Sequence, residues 1–223
     1  MNKTEALQHR YDAGNQMWFS AEKRFGQDCR IHNYGCGVIA MLDFCIYKGL
    51  AERPKNRQEY MNRIRCMERR WMHIIPGFGI SPYFYAFWAN LYYRFHHIPY
   101  RFRKIWVSGS KKMREEKLAK RIQGQLKADL PLIFAAGPVV PWVGQKGRIT
   151  LYRLEGEKLI ASGQKVKSHY MTILGLQRKN EQWYLQLATW GEIRYMRLSD
   201  YVQHGKFSVP FTNTIYETRT IRK

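Results

Sequence analysis

Two fragments far apart in the chain hold the residue types from which a thiol nucleophile is built. Asn33-Tyr34-Gly35-Cys36-Gly37-Val38-Ile39-Ala40 places a cysteine where a helix is expected to begin, and Ser168-His169-Tyr170-Met171-Thr172-Ile173 places a histidine where a strand is expected to begin. A helix N-terminus offers partial positive charge and unpaired amides, which lower a thiol pKa, and an imidazole can take and return the proton. The pattern predicts a thiolate-imidazolium pair, with the Cys36 amide as one oxyanion donor and with Gly35 and Gly37 leaving room for a carbonyl substrate.

These residues need elements to carry them. Ile39, Ala40, Phe44 and Tyr47 recur at helical spacing after Cys36, and Gly49 stops the run. A second helix is expected over 56–71, with Tyr60, Ile64, Met67 and Trp71 on one face and arginines on the other. Ser81-Pro82 reads as the cap and first turn of an aromatic helix towards Phe95, ended by Ile98-Pro99. Leu118, Ile122 and Leu126 mark another helix, followed by the apolar run Leu132-Ile133-Phe134-Ala135. Beyond this the period changes to alternation, and strands are expected over 149–154, 169–176, 183–189 and 193–198. A Gly- and Pro-containing stretch over 137–147 reads as a loop that is either an ordinary connection or the flank of a cleft. Helices first and an antiparallel sheet after them is an α+β order.

The strand over 183–189 ends in Leu187-Ala188-Thr189-Trp190-Gly191. With Cys36-Gly37-Val38-Ile39-Ala40 and the His169 strand, this resembles the papain-like cysteine peptidases, and in particular the bacterial branch that includes the double-glycine leader peptidases. The resemblance covers about residues 30–201. It implies a papain-like α+β fold in one domain over 1–223, mainly helical to about 130 and mainly β from about 131. It further implies Cys36 as nucleophile, His169 as general acid/base, and Trp190 as the indole that shields the pair. The family's orienting Asn or Asp falls on Ala188, which cannot hold an imidazole. Thr189, or Gln186 on the same strand face as Ala188, is the candidate for that task; the alternative is a Cys-His dyad. The family's oxyanion glutamine falls on Arg30, so Asn33 and Gln27 are the substitutes.

The implied activity is a cysteine hydrolase, read as a peptidase acting on a peptide or protein, with no cofactor or metal; the same pair could equally run an amidase or acyltransferase reaction. Cys29-x-x-His32-x-x-x-Cys36 offers three zinc-ligand types without an obvious fourth, and a Cys29–Cys36 disulfide is the other use of that spacing. Two different classes of function stay open. One is a papain-like binding protein impaired by Ala188. The other is a basic module for nucleic acid or another polyanion, since 38 Lys and Arg against 17 Asp and Glu give a formal charge of +21. The same charge suits an acidic substrate.

At 223 residues, 45% hydrophobic, the chain can bury a sizeable core without staples. Its N-terminal stretch is too charged for a signal peptide, and reduced cysteines are expected, so a cytoplasmic location follows as the default. The longest uncharged stretch, over 71–93, is broken by Pro76, Gly77, Gly79, Ser81, Pro82 and Asn90, so no transmembrane segment is expected.

Overall fold

The computed structural model describes residues 4–9, 11, 13–22, 26–77, 79–136, 149–166, 168–204 and 213–221. In chain order they form β1 (Thr4–Ala6), a 3-10 turn (Gln16–Trp18), α1 (Gln27–Tyr34), α2 (Cys36–Tyr47), α3 (Arg57–Arg70) and α4 (Pro82–Phe95). There follow β2 (Tyr100–Lys104), α5 (Lys111–Lys127), β3 (Leu132–Ala136), β4 (Ile149–Glu155) and β5 (Lys158–Val166). The last elements are β6 (His169–Lys179), β7 (Gln182–Thr189), β8 (Glu192–Arg197), α6 (Leu198–His204) and β9 (Thr214–Thr220). The fold is α+β.

The helix starts follow from side-chain caps. Asn56 Oδ1 accepts from the Glu59 amide at 2.9 Å to open α3, and Ser81 caps α4 ahead of Pro82, whose missing N–H costs nothing in a first turn. Among the described residues no side chain caps α2. Instead α1 runs into it through Gly35 alone, whose N–H closes α1 on Ile31 O at 2.8 Å while its carbonyl receives Ile39 N at 3.0 Å. A Cβ at Gly35 would lie 2.4 Å from Ile31 O, so only glycine makes this joint.

All strand pairings are antiparallel, in the order β2-β9-β3-β6-β7-β8-β4-β5, with β1 pairing β6 beyond the end of β3. β3 is buried on both faces, which is why it reads as an unbroken apolar run. Ile133 and Ala135 join one core with Tyr170, Tyr216 and helices α2, α3 and α4. Leu132, Phe134 and Ala136 join the other, with Met171, Ile173, Ile215 and helix α5. Every residue of α2 from 37 to 45 is buried, so this helix is enclosed, with β6 on one side and α3 on another.

The division at about residue 130 is blurred. β1 and β2 of the first half are strands of the sheet, and α5 covers the sheet face opposite α2. Leu198, expected at the end of a strand, begins α6 instead. The expected loop over 137–147 lies outside the described residues. Among the described residues no helix is long and apolar enough to cross a membrane.

Candidate active site

The sheet delivers His169 to the N-terminal end of α2. Tyr170, the second residue of β6, packs flat against Tyr85, with ring centres 4.7 Å apart, and donates its backbone N–H to Cys36 Sγ at 3.4 Å. The amides of Cys36 and Gly37 also face the sulfur. Gly37 makes this contact between helix and sheet close enough, because a Cβ there would lie 3.2 Å from both Tyr170 Cδ2 and Ile80 Cδ1. Gly35 and Gly37 are therefore packing glycines; the room expected for a carbonyl beside them is filled by Ile31, Tyr170 and Ile80.

His169 is fixed from two sides. Its Nε2 is 2.7 Å from Thr189 Oγ1, and its ring stacks on the Trp190 indole with centres 4.6 Å apart and planes at 25°. The indole reaches this place through the β7–β8 hairpin, a two-residue turn with positive φ at both Trp190 (50°) and Gly191 (77°). Asn, Asp or Gly normally holds the first of these positions, and a tryptophan there carries strain of about 1–3 kcal/mol. Asn15 helps hold the turn, its Nδ2 donating to Trp190 O at 2.8 Å.

Cys36, His169, Ala188, Thr189 and Trp190 line one cleft. A direct bond between Cys36 Sγ and the imidazole is not among the contacts of the described residues, where Sγ faces amides and Nε2 faces Thr189. On its other side Cys36 opens into a groove lined by Asn33, Tyr34, Ile80, Pro82 and Ser168. Of the candidate orienting and oxyanion residues, Thr189 reaches the imidazole and Asn33 borders the groove, although its Nδ2 donates to Cys29 O at 2.9 Å. Gln27 is turned towards α3, donating to Arg65 O and Glu68 Oε2 at 2.7 and 2.8 Å. Arg30 lies 3.5 Å from that same glutamate. Gln186 covers Gly175, where an added Cβ would meet its Oε1 at 2.7 Å.

The sequence reading missed the floor of the cleft. Gly14, Gln16 and Asp43 line it with Cys36 and His169. Asp43 carried a usable signal, being the one charged residue in an otherwise apolar helix and seven positions, two turns, beyond Cys36 on the same face. Its Oδ2 accepts from Gly14 N at 2.9 Å and its Oδ1 from Tyr60 Oη at 2.6 Å. Gln16 donates to His32 O at 2.9 Å. No local pattern in the sequence marks Gln16 or Asn15.

His32 Nδ1 is bound to Phe19 O at 2.7 Å, all four cysteines are free thiols, and among the described residues no three His, Cys, Asp or Glu side chains converge as a metal would require. The Cys29–Cys36 disulfide is not formed.

Burial sets the charge state of the pair. It pushes the Cys36 thiol up to about 11, against the lowering effect of the three amides, and pulls the His169 imidazole down to about 4. The resting pair is thus thiol and neutral imidazole, where the sequence pattern predicts an ion pair. A folded-state value below the ordinary 6.5 means that the unfolded chain binds the His169 proton first as pH falls. The associated stability is present in full above 6.5 and is lost as pH drops towards 4. Over that window the wild type is expected to lose about 3 kcal/mol more than His169→Gln, read from urea melts of both proteins. Parallel pH curves would show that His169 is not buried as a neutral ring.

No known family model and no curated protein matches this chain, so the grouping of Cys36, His169, Thr189 and Trp190 is read from its own geometry.

Proposed function

We propose that the chain is a cysteine hydrolase of papain-like architecture, acting on a peptide or a related amide. The observation that carries this reading is the cleft itself, in which a thiol ringed by backbone amides shares its walls with an imidazole held by a hydroxyl and an indole. With Nε2 donating to Thr189, the neutral ring keeps a lone pair on Nδ1 for the thiol proton. Cys36 Sγ attacks the carbonyl as His169 takes that proton, and the tetrahedral oxygen is received by amides at the start of α2. The C–N bond then breaks, His169 returns the proton to the leaving amine, and water activated by the same ring releases the acid from the thioester. Because burial favours the neutral pair, thiolate forms with the attack and is not stored beforehand.

A second reading, a binding protein of the same architecture without turnover, is favoured by Ala188 at the orienting position and by the neutral resting pair. The two are separated by incubation with p-nitrophenyl acetate followed by peptide mapping. The hydrolase acetylates Cys36, then loses the acetyl group while nitrophenol release continues, and Cys36→Ala does neither. A Cys36 that stays unmodified, or that is acetylated once and never turned over, supports the binding protein.

A further inference from the structure

Helix α4 has two apolar faces, and among the described residues only one is fully covered by the fold. Pro82, Tyr85, Ala89 and Tyr93 are buried in the core. Phe84, Phe87 and Phe95 are 57%, 56% and 64% exposed, with Trp88 and Leu91 half-buried between them. This i, i+3, i+4, i+7, i+11 spacing is a continuous stripe. Past the N-terminal end of the helix it continues to Trp106, 70% exposed, through Lys104, whose Nζ lies 4.6 Å from the Tyr83 ring centre and 5.6 Å from that of Trp106. At the other end Phe95 meets Trp71, which directly follows the exposed Arg69 and Arg70.

The segment that carries the stripe is one-signed. No Asp or Glu occurs between Glu68 and Glu115, a stretch that includes all of α4 and β2. Arg69, Arg70, Arg94 and Lys104 form no ion pair among the described residues. On the helix, from Phe84 to Phe95, the stripe is uncharged, with cations at its margin, as at a boundary between acyl chains and anionic headgroups. A second copy of the chain is a poorer occupant, because a two-fold contact would bring two such cationic margins together on molecules that each carry +21. Nucleic acid is poorer too, since its phosphates need cations interleaved with the aromatic rings, and only Lys104, between Tyr83 and Trp106, stands so; Phe84, Phe87, Trp88, Leu91 and Phe95 have none between them.

We infer that this face of α4 docks on an anionic phospholipid surface, inserting Phe84, Phe87 and Phe95 while Arg69, Arg70, Arg94 and Lys104 meet the headgroups. The inference does not depend on the hydrolase reading. The docking face does adjoin the Cys36 groove, for Ser81 borders both the groove and the aromatic pocket of Tyr83, Phe84 and Phe87.

Co-sedimentation of the full chain with phosphatidylcholine vesicles, with and without phosphatidylglycerol, tests it. Wild type is expected to bind only the mixed vesicles, and the Phe84→Ser/Phe87→Ser variant to partition at least about tenfold more weakly with its charge unchanged. Phe95→Ser provides an independent second variant at the far end of the helix, and a blue-shifted tryptophan emission on binding is expected in wild type alone. Equal binding by wild type and both variants would overturn the inference, reducing the effect to net charge. So would equal binding to neutral vesicles, loss of affinity for a single-stranded RNA oligonucleotide in place of vesicles, or a wild-type dimer that the variants convert to monomer.

Discussion

Replacing His169 by alanine is expected, for the proposed hydrolase, to lower turnover of an acyl substrate on the order of 10⁴-fold with little change in KM, because the thiol then has no base and the leaving amine no acid. The raised thiol pKa makes the effect large. At about 11 its pKa leaves almost no thiolate at neutral pH, so Cys36 cannot attack unaided. Iodoacetamide alkylation of wild-type Cys36, located by peptide mapping, should accordingly rise about tenfold per pH unit towards that value. Thr189→Val keeps the shape of the strand end and removes only the hydroxyl at 2.7 Å from Nε2, and its expected cost is about 10- to 100-fold in kcat. With the imidazole near 4, the acid limb of the wild-type rate should fall around that pH and not near the ordinary histidine value of 6.5. A His169→Ala protein that turns over at the wild-type rate, or fast alkylation at pH 6, would remove His169 or the neutral pair from the mechanism.

Much of this site is legible from local residue patterns, because its principal residues sit at element ends, which sequences mark well. Gly35-Cys36-Gly37 before an apolar run and His169 before an alternating one name the nucleophile and base candidates, and Trp190-Gly191 after a strand names the hairpin. Long-range packing is not marked in this way. Gly35 and Gly37 look the same in sequence whether they face substrate or a neighbouring side chain, and only the approach of Tyr170 and Ile80 decides. Gln27 and Gln186 are plausible by position along the chain, but Gln27 is turned to its partners on α3 and Gln186 lies over Gly175 of β6. The strands that escaped notice are β2, β5, β9 and the three-residue β1. β2 and β5 carry charges such as those of Tyr100-Arg101-Phe102-Arg103-Lys104 because they are the outer strands of the sheet and much of their surface meets water, whereas β9 lies inside it and hides its alternation behind the buried Glu217, paired with Arg121 and Arg219. The pKa values escaped for a related reason, since a helix N-terminus predicts a lowered thiol, while burial, which dominates here, is a property of the assembled layers.

Asp43 is the side chain through which the floor of the cleft is tied to the core, and its loss is expected to have the largest effect on stability. It is 4% exposed, in the middle of the buried helix α2, and its two oxygens accept from Tyr60 Oη and Gly14 N. Asp43→Ala leaves both donors without their acceptor and opens a cavity, a combined cost of about 3–5 kcal/mol. Asp43→Asn keeps the shape but offers one acceptor and one donor where two acceptors are needed, so it should cost about half as much. Urea melts measure both. Local consequences distinguish this from simple core loss. Gly14 adjoins Asn15, which holds the strained Trp190 turn, and Trp190 in turn stacks on His169. Freeing Gly14 should loosen this chain of contacts before the fold is lost, raising the His169 pKa from about 4 as water reaches the ring and exposing the Trp190 indole to quenching by acrylamide. A loss under about 1 kcal/mol in Asp43→Ala would mean that Tyr60 and Gly14 find other partners and that the segment before α1 is held by β1 and its own contacts alone.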